Sequence, residues 1–258
     1  MKKDDLRAGD TRQEEVLVGE RGIAASLNWS QDPPEDPSLE DSVAAGLGSG
    51  LRGVFITFEG LDGCGKSTQM HLLAQALRER GYVVTETREP GGTPLGEAIR
   101  EVLLDPRHRG MAPRAEALLY AAARAQLVKE VVRPALEDGQ VVLCDRYLDS
   151  SLAYQGYGRG LGADDIITLN VWATECLFPD LTLFLDLNDS TRATRLGTTP
   201  DRLEAEDQDF HRRVAEGYKQ LLRDHPHRIR RVDARGTPEE VQQRVRAVVE
   251  EELGLFSH

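Results

Sequence analysis

Gly60 to Ser67 reads Gly-Leu-Asp-Gly-Cys-Gly-Lys-Ser, the spacing G-x-x-x-x-G-K-S, set between an apolar β-prone run and a stretch of helical periodicity. Each position suits the binding of a nucleotide's phosphates. Glycines allow backbone angles closed to other residues, so successive N–H groups can point inward at an anion. A helix opening near Lys66 adds the positive end of its dipole. Lys66 supplies a mobile charge for the β- and γ-phosphates, and the Ser67 hydroxyl is placed to ligate the magnesium ion that travels with them. At a glycine usage of about 7%, this spacing arises by accident in roughly one chain in a hundred of this length. The strand before it and the helix after it lower that figure further.

More charge gathers where strands end. Arg88-Glu-Pro-Gly-Gly-Thr93 follows a predicted strand, and Asp145-Arg146-Tyr147 follows the apolar run Val141 to Cys144. Open α/β sheets bind ligands outside the carboxyl ends of their strands, so Asp145 and Arg146 read as part of a site ahead of an ion pair that merely closes the sheet. Between Gly60 and Gly65 the loop offers Leu61, Asp62, Gly63 and Cys64, none of them basic, whereas a transferring phosphoryl group calls for positive charge beyond one lysine. Arg192, Arg195 and Arg202 lie in a charged, turn-rich stretch, 192–206, which is either a solvated connection or a mobile lid. The need for charge favours the lid. Arg100 and Arg146 suit an acceptor phosphate, since guanidinium binds phosphate through paired donors. Asp62 and Asp145 suit magnesium or its waters. Tyr120 and Arg124, four apart, share a face of the helix predicted over 113–136, as a boundary contact or as part of a site. The surplus of arginines and aromatics favours a kinase over a plain ATP hydrolase.

Positioning these groups falls to strands predicted at 54–59, 82–87, 141–144, 181–187 and 229–232, separated by helices at about 67–80, 94–104, 113–136, 163–175, 189–196, 206–223 and 237–252. Alternating strands and helices predict a parallel sheet covered on both faces. Residues 1–50 differ: they are acidic, contain Asp32-Pro-Pro-Glu-Asp-Pro37 and have no sustained apolar period, which predicts a disordered extension ahead of a domain over 51–258. Gly48-Ser-Gly-Leu-Arg-Gly53 matches a dinucleotide-binding spacing but precedes the first strand, so it lacks the mechanism and reads as linker. A formal charge of −12 argues against a face that grips nucleic acid. Three cysteines without C-x-x-C spacing indicate neither a disulfide framework nor a zinc site, and they suit the reducing cytoplasm. No apolar run has the length of a membrane span, and the polar start does not read as a secretory signal.

Four segments, Phe58 to Thr68, Arg88 to Arg100, Asp145 to Gly156 and Asp201 to Glu206, together resemble, in order, the motifs of bacterial thymidylate kinases, a likeness covering about residues 53–252. It implies the three-layer α/β fold of P-loop NTPases, with a five-stranded parallel sheet and a short lid, in a homodimer that turns ATP and dTMP into ADP and dTDP with Mg2+. By resemblance, Gly60, Leu61, Asp62, Gly63, Cys64, Gly65, Lys66, Ser67 and Thr68 hold ATP, and Ser67, Asp62 and Asp145 serve the metal. Tyr120 takes the place of the aromatic stacked on thymine, Arg124 that of the guanidinium on the base carbonyl, and Ser151 and Gln155 further base-side places. Tyr154 packs against the sugar, Glu89 and Asp62 lie near its 3′-hydroxyl, and Arg100 and Arg146 face the acceptor phosphate. The catalytic set so implied is Lys66, Asp62, Arg146 and a lid arginine, Arg195 first and Arg202 next. Two departures stand out. Ala123 replaces an aspartate often found before the base-reading arginine, and Gly197-Thr-Thr-Pro200 occupies lid positions where related enzymes often carry another arginine. The rival readings are a P-loop kinase with a different acceptor, and a nucleotide-dependent switch with no use for the Tyr120, Arg124, Ser151 and Gln155 set.

Overall fold

The computed structural model describes residues 53–187 and 201–256. Five strands, β1 Val54–Glu59, β2 Val84–Arg88, β3 Val141–Asp145, β4 Leu181–Asp186 and β5 Ile229–Asp233, form one sheet in the order β2-β3-β1-β4-β5. Every pairing is parallel, as the alternation of elements predicts. The three central strands are apolar almost throughout because helices cover both of their faces, while edge strands β2 and β5 carry Thr85, Glu86, Arg230 and Arg231. Side chains along β1 alternate between two cores. Ile56 and Phe58 pack with α1 (Lys66–Arg78) and α8 (Pro238–Leu253) through Leu73, Leu77, Val241 and Val245. Phe55 joins the opposite core, built with α3 (Pro113–Leu127), α6 (Ala163–Thr174) and α7 (Gln208–Asp224) through Leu127, Ile166, Phe210 and Tyr218.

Two local departures from the predicted elements have identifiable causes. The helix expected over 113–136 is instead α3, a widened turn at Val128–Val132 and a short α4, Arg133–Glu137. Pro134 lacks the N–H that a regular helix needs there, and the widened turn, in which the Arg133 N–H donates to the Val128 carbonyl, carries the chain past it. β2 begins at Val84, not Tyr82, because the Tyr82 N–H donates to the Leu77 carbonyl (3.2 Å) and closes the end of α1.

After β3 the chain forms α5, Leu148–Ser151, and a second widened helical segment, Leu152–Gly158, where no helix was predicted. The segment lies hard against α7: a Cβ at Gly158 would stand 2.8 Å from both Phe210 and Val214, so only glycine permits the approach. The segment carries Tyr154 and Gln155 and so places them at the site. Helix α2, Pro94–Leu104, is started by Thr93, whose hydroxyl accepts from the Gly96 N–H (3.0 Å). No helix among the described residues is long and apolar enough to cross a membrane. The predicted extension 1–50, helix 189–196 and the first part of the lid lie outside the described residues.

Candidate active site

The loop after β1 turns through Gly60 (φ 134°), Gly63 (φ 81°) and Gly65 (φ 100°), angles that favour glycine. Gly65 is also the N-cap of α1 and provides no side-chain cap, which leaves the first amides of the helix free for an anion. Lys66 folds over the loop and donates to the carbonyls of Gly60 (3.1 Å) and Leu61 (3.3 Å). Ser67 Oγ donates to Asp145 Oδ2 at 2.6 Å, bringing the end of β3 alongside the start of α1. A cavity of about 700 Å³, lined by Asp62 to Gln69, extends to Ala234, Gly236 and Pro238 after β5. That volume falls within the roughly 300–1,000 Å³ usual for ligand sites.

Arg146 follows Asp145 with φ at 70°, a left-handed conformation uncommon for a residue bearing a Cβ. Surrounding bonds hold it there. Its Nη2 donates to Asp62 Oδ1 (2.5 Å), its Nη1 donates to Ser150 Oγ (3.1 Å) and Tyr218 Oη (3.2 Å), and its guanidinium lies over the Tyr154 ring. Burial works to raise the Asp62 carboxyl, but Arg146 and Lys66 outweigh it and hold that group well below the usual carboxylate range. Beneath, the buried Glu59 carboxylate accepts from the N–H groups of Tyr147 (2.8 Å) and Ser150 (3.1 Å) and from the hydroxyls of Ser150 (2.6 Å) and Tyr218 (2.8 Å). It thereby ties the start of α5 to the end of β1 and to α7.

A second, smaller cavity of about 80 Å³ is bordered by Tyr120, Arg124, Ser151, Tyr154, Gln155 and Leu203, with Asp62, Glu89, Arg100 and Arg146 common to both cavities. Arg100 faces both spaces and donates to the Pro90 carbonyl (2.9 Å). Arg124, 1% exposed, spends all five donors inside the protein: Nε and Nη2 on Glu89 Oε2, Nη1 on Ser151 Oγ and Asn170 Oδ1, and Nη2 also on the Tyr147 carbonyl. Burial pushes the Glu89 carboxyl up to about 7 despite Arg124. Its other oxygen, Oε1, is buried without a partner.

The thymidylate kinase family model matches residues 58–245. Thymidylate kinases from Exiguobacterium sp. and Clavibacter sepedonicus are 52% and 56% identical to the chain, over 76% and 74% of it and 93% and 91% of their own lengths. The chain belongs to the thymidylate kinase family. The crystal structure of thymidylate kinase from Ehrlichia chaffeensis superposes with a TM-score of 0.65 at 34% identity, covering 77% of this chain and 98% of that one. Lys66, Ser67 and Asp145 border the larger cavity, and Glu89, Arg100, Tyr120, Ser151, Tyr154 and Gln155 border the smaller one together with Arg146, which both share.

Asp62 and Arg202 are each held by an ion pair. Asp62 is turned to Arg146 and Tyr154 Oη (3.2 Å) and borders both cavities. Arg202, 2% exposed, is drawn into the interior instead of facing the phosphates or pairing with Glu204 or Glu206: Nε donates to the Leu103 carbonyl (2.6 Å) at the end of α2, and Nη1 donates to Glu116 Oε2 (2.7 Å). The cause is the buried carboxylate of Glu116, which needs compensating charge. Arg192 and Arg195 lie outside the described residues. Sequence reasoning missed Glu59, Glu116 and Asn170. Glu59 was readable as a charge ending a buried strand; Glu116 and Asn170 are polar residues within helices and gave no such sign.

Proposed function

We propose that these residues share out the transfer of the γ-phosphoryl group of ATP to dTMP, giving ADP and dTDP, the reaction of the family. The observation that supports this division is the meeting of two cavities, one on the phosphate loop and one on Tyr120, at a common wall of Asp62, Glu89, Arg100 and Arg146. ATP takes the larger cavity, with its phosphates against the loop amides and Lys66. The base of dTMP takes the smaller one, between Tyr120 and the Ser151–Gln155 stretch, and its phosphate points at Arg100 and Arg146. At about 80 Å³ the smaller space has to widen as the nucleotide enters.

Among the described residues no three His, Cys, Asp or Glu side chains come together as a metal cage. One hydroxyl and one carboxylate side by side suit magnesium, which keeps several waters and binds the rest of its shell to substrate phosphates. Ser67 and Asp145 would hold it, and it would supply positive charge to the phosphates of ATP. Lys66 and Arg146 supply the protein's own positive charge on the donor and acceptor sides. Breaking the Asp62 pair as the phosphates arrive would free the Arg146 guanidinium for the transferring group, joined by Arg195 from the lid.

The outer faces of α3 and α6 carry Leu118, 58% exposed, and Trp172, 82% exposed, which supports a homodimer formed through them. Three unpaired thiols, Cys64, Cys144 and Cys176, suit the cytoplasm. The reaction is tested by ADP release from the purified protein with ATP and each of dTMP, dUMP, dCMP, dGMP and thymidine. ADP formed without regard to the acceptor would overturn it.

A further inference from the structure

Gln155 Nε2 donates to Glu116 Oε1 at 2.9 Å, and both side chains are buried. Glu116 Oε1 also accepts from Arg159 Nε (3.1 Å), while its Oε2 accepts from Arg159 Nη2 (2.9 Å) and Arg202 Nη1 (2.7 Å). Burial works to raise this carboxyl, but Arg159, Gln155 and Arg202 together hold it below the usual carboxylate range, so it stays ionised. An ionised carboxylate accepts hydrogen bonds and donates none. The amide of Gln155 therefore has one allowed orientation, with its NH2 on Glu116 and its oxygen turned away. No described residue donates to that oxygen, and Gln155 borders the smaller cavity beside Tyr120.

We propose that Glu116 is a positioning residue for base specificity: by holding the Gln155 NH2, it presents only the Gln155 oxygen to the acceptor pocket, which selects a base whose N3 carries a proton. Thymine and uracil have N3–H between two carbonyls and can donate to this oxygen. Cytosine has a bare N3 beside an amine, so its N3 lone pair meets the Gln155 oxygen with no proton between them. Sites built on a buried hydrogen bond reject partners that leave it unmade far better than sites built on shape. The inference rests on dTMP being the acceptor, and it adds the residue that sets which pyrimidines the pocket accepts.

The test is Glu116→Gln, nearly the same shape but able to donate, which frees the Gln155 amide to flip and present NH2. kcat/KM is measured for dTMP, dUMP and dCMP at saturating ATP. The expected result is a fall of at least about tenfold in the dTMP-to-dCMP ratio, with the dTMP-to-dUMP ratio unchanged, because both of those bases carry N3–H. Glu116→Asp, still acceptor-only, should keep the wild-type preference. Should Glu116→Gln fail to fold because Arg202 loses its counter-charge, the double variant Glu116→Gln, Arg202→Met removes both charges and carries the same ratio test. Equal losses on all three acceptors would overturn the inference and leave Glu116 a structural anchor alone. A wild-type protein unable to phosphorylate dTMP would overturn the reaction and this inference together.

Discussion

Arg124→Ala should cost the fold more than it costs recognition of the base. Truncation leaves Glu89 Oε2, Asn170 Oδ1 and the Tyr147 carbonyl without their donor in a fully buried place. Removing one partner of a buried ion pair costs about 3–5 kcal/mol, since the other charge is stranded. The loss should depend on pH in a definite direction. Glu89 is raised by burial to about 7 even with Arg124 beside it, above the ordinary 4.5 of a glutamate. A carboxyl raised in the folded state contributes stability at low pH that is lost as pH climbs from the ordinary value through the folded one. In the wild type that loss is therefore complete somewhat above pH 7. Without Arg124 the carboxyl moves higher still, at about 1.4 kcal/mol for each unit, so the variant goes on losing stability where the wild type has levelled off. Urea unfolding of both proteins at pH 5, 7 and 8.5 measures this. The deficit should be smallest at pH 5 and largest at pH 8.5. A deficit below about 1 kcal/mol, or one that does not change with pH, would refute the reasoning and return Arg124 to a purely base-reading role.

Lys66→Ala should lower turnover by at least about a hundredfold, about 2.7 kcal/mol of barrier, with its melting temperature nearly intact, because within the protein Lys66 bonds groups of its own loop, the Gly60 and Leu61 carbonyls, the Cys64 thiol and, at 3.9 Å, Asp62. Near wild-type turnover in a steady-state assay would remove it from the mechanism. Arg195→Ala should lower turnover at least about tenfold at saturating ATP and dTMP, whereas Arg202→Ala should lower the unfolding free energy toward the bottom of the roughly 3–5 kcal/mol range, since Glu116 keeps Arg159 and Gln155. The reverse pattern would make Arg202 the lid cation. If the chain pairs through the α3 and α6 faces, Trp172→Glu should lower its sedimentation coefficient to that of a monomer, and an unchanged coefficient would overturn a dimer formed there.

What could be read from the sequence was local. The phosphate loop is a contiguous motif whose physics is spelled out by its own residues, and the five strands showed as apolar runs between turns. Charges at strand ends pointed to Asp145 and Arg146 for the same reason. Glu59 meets Tyr218 across 159 positions and Arg202 meets Glu116 across 86, and no spacing or period records such a meeting. The phosphate loop marks Asp62 as a site residue, but no spacing records the guanidinium that reaches it from 84 residues away. The widened segment at Leu152–Gly158 depends on the close approach of α7, itself a tertiary event.

The two cores on opposite faces of the sheet divide the molecule's capacity to change. Helices α1 and α8, which border the larger cavity, are rooted in one; α3 and the Leu152–Gly158 segment, which border the smaller one, are rooted in the other together with α6 and α7. Substitutions distant from one another and without shared partners add independently. Repacking behind Tyr120 can therefore proceed without disturbing the seat of α1, provided the shared wall of Asp62, Glu89, Arg100 and Arg146 is kept. A lineage or a designer seeking a new acceptor can rebuild one side of this sheet and inherit the phosphate donor unchanged from the other.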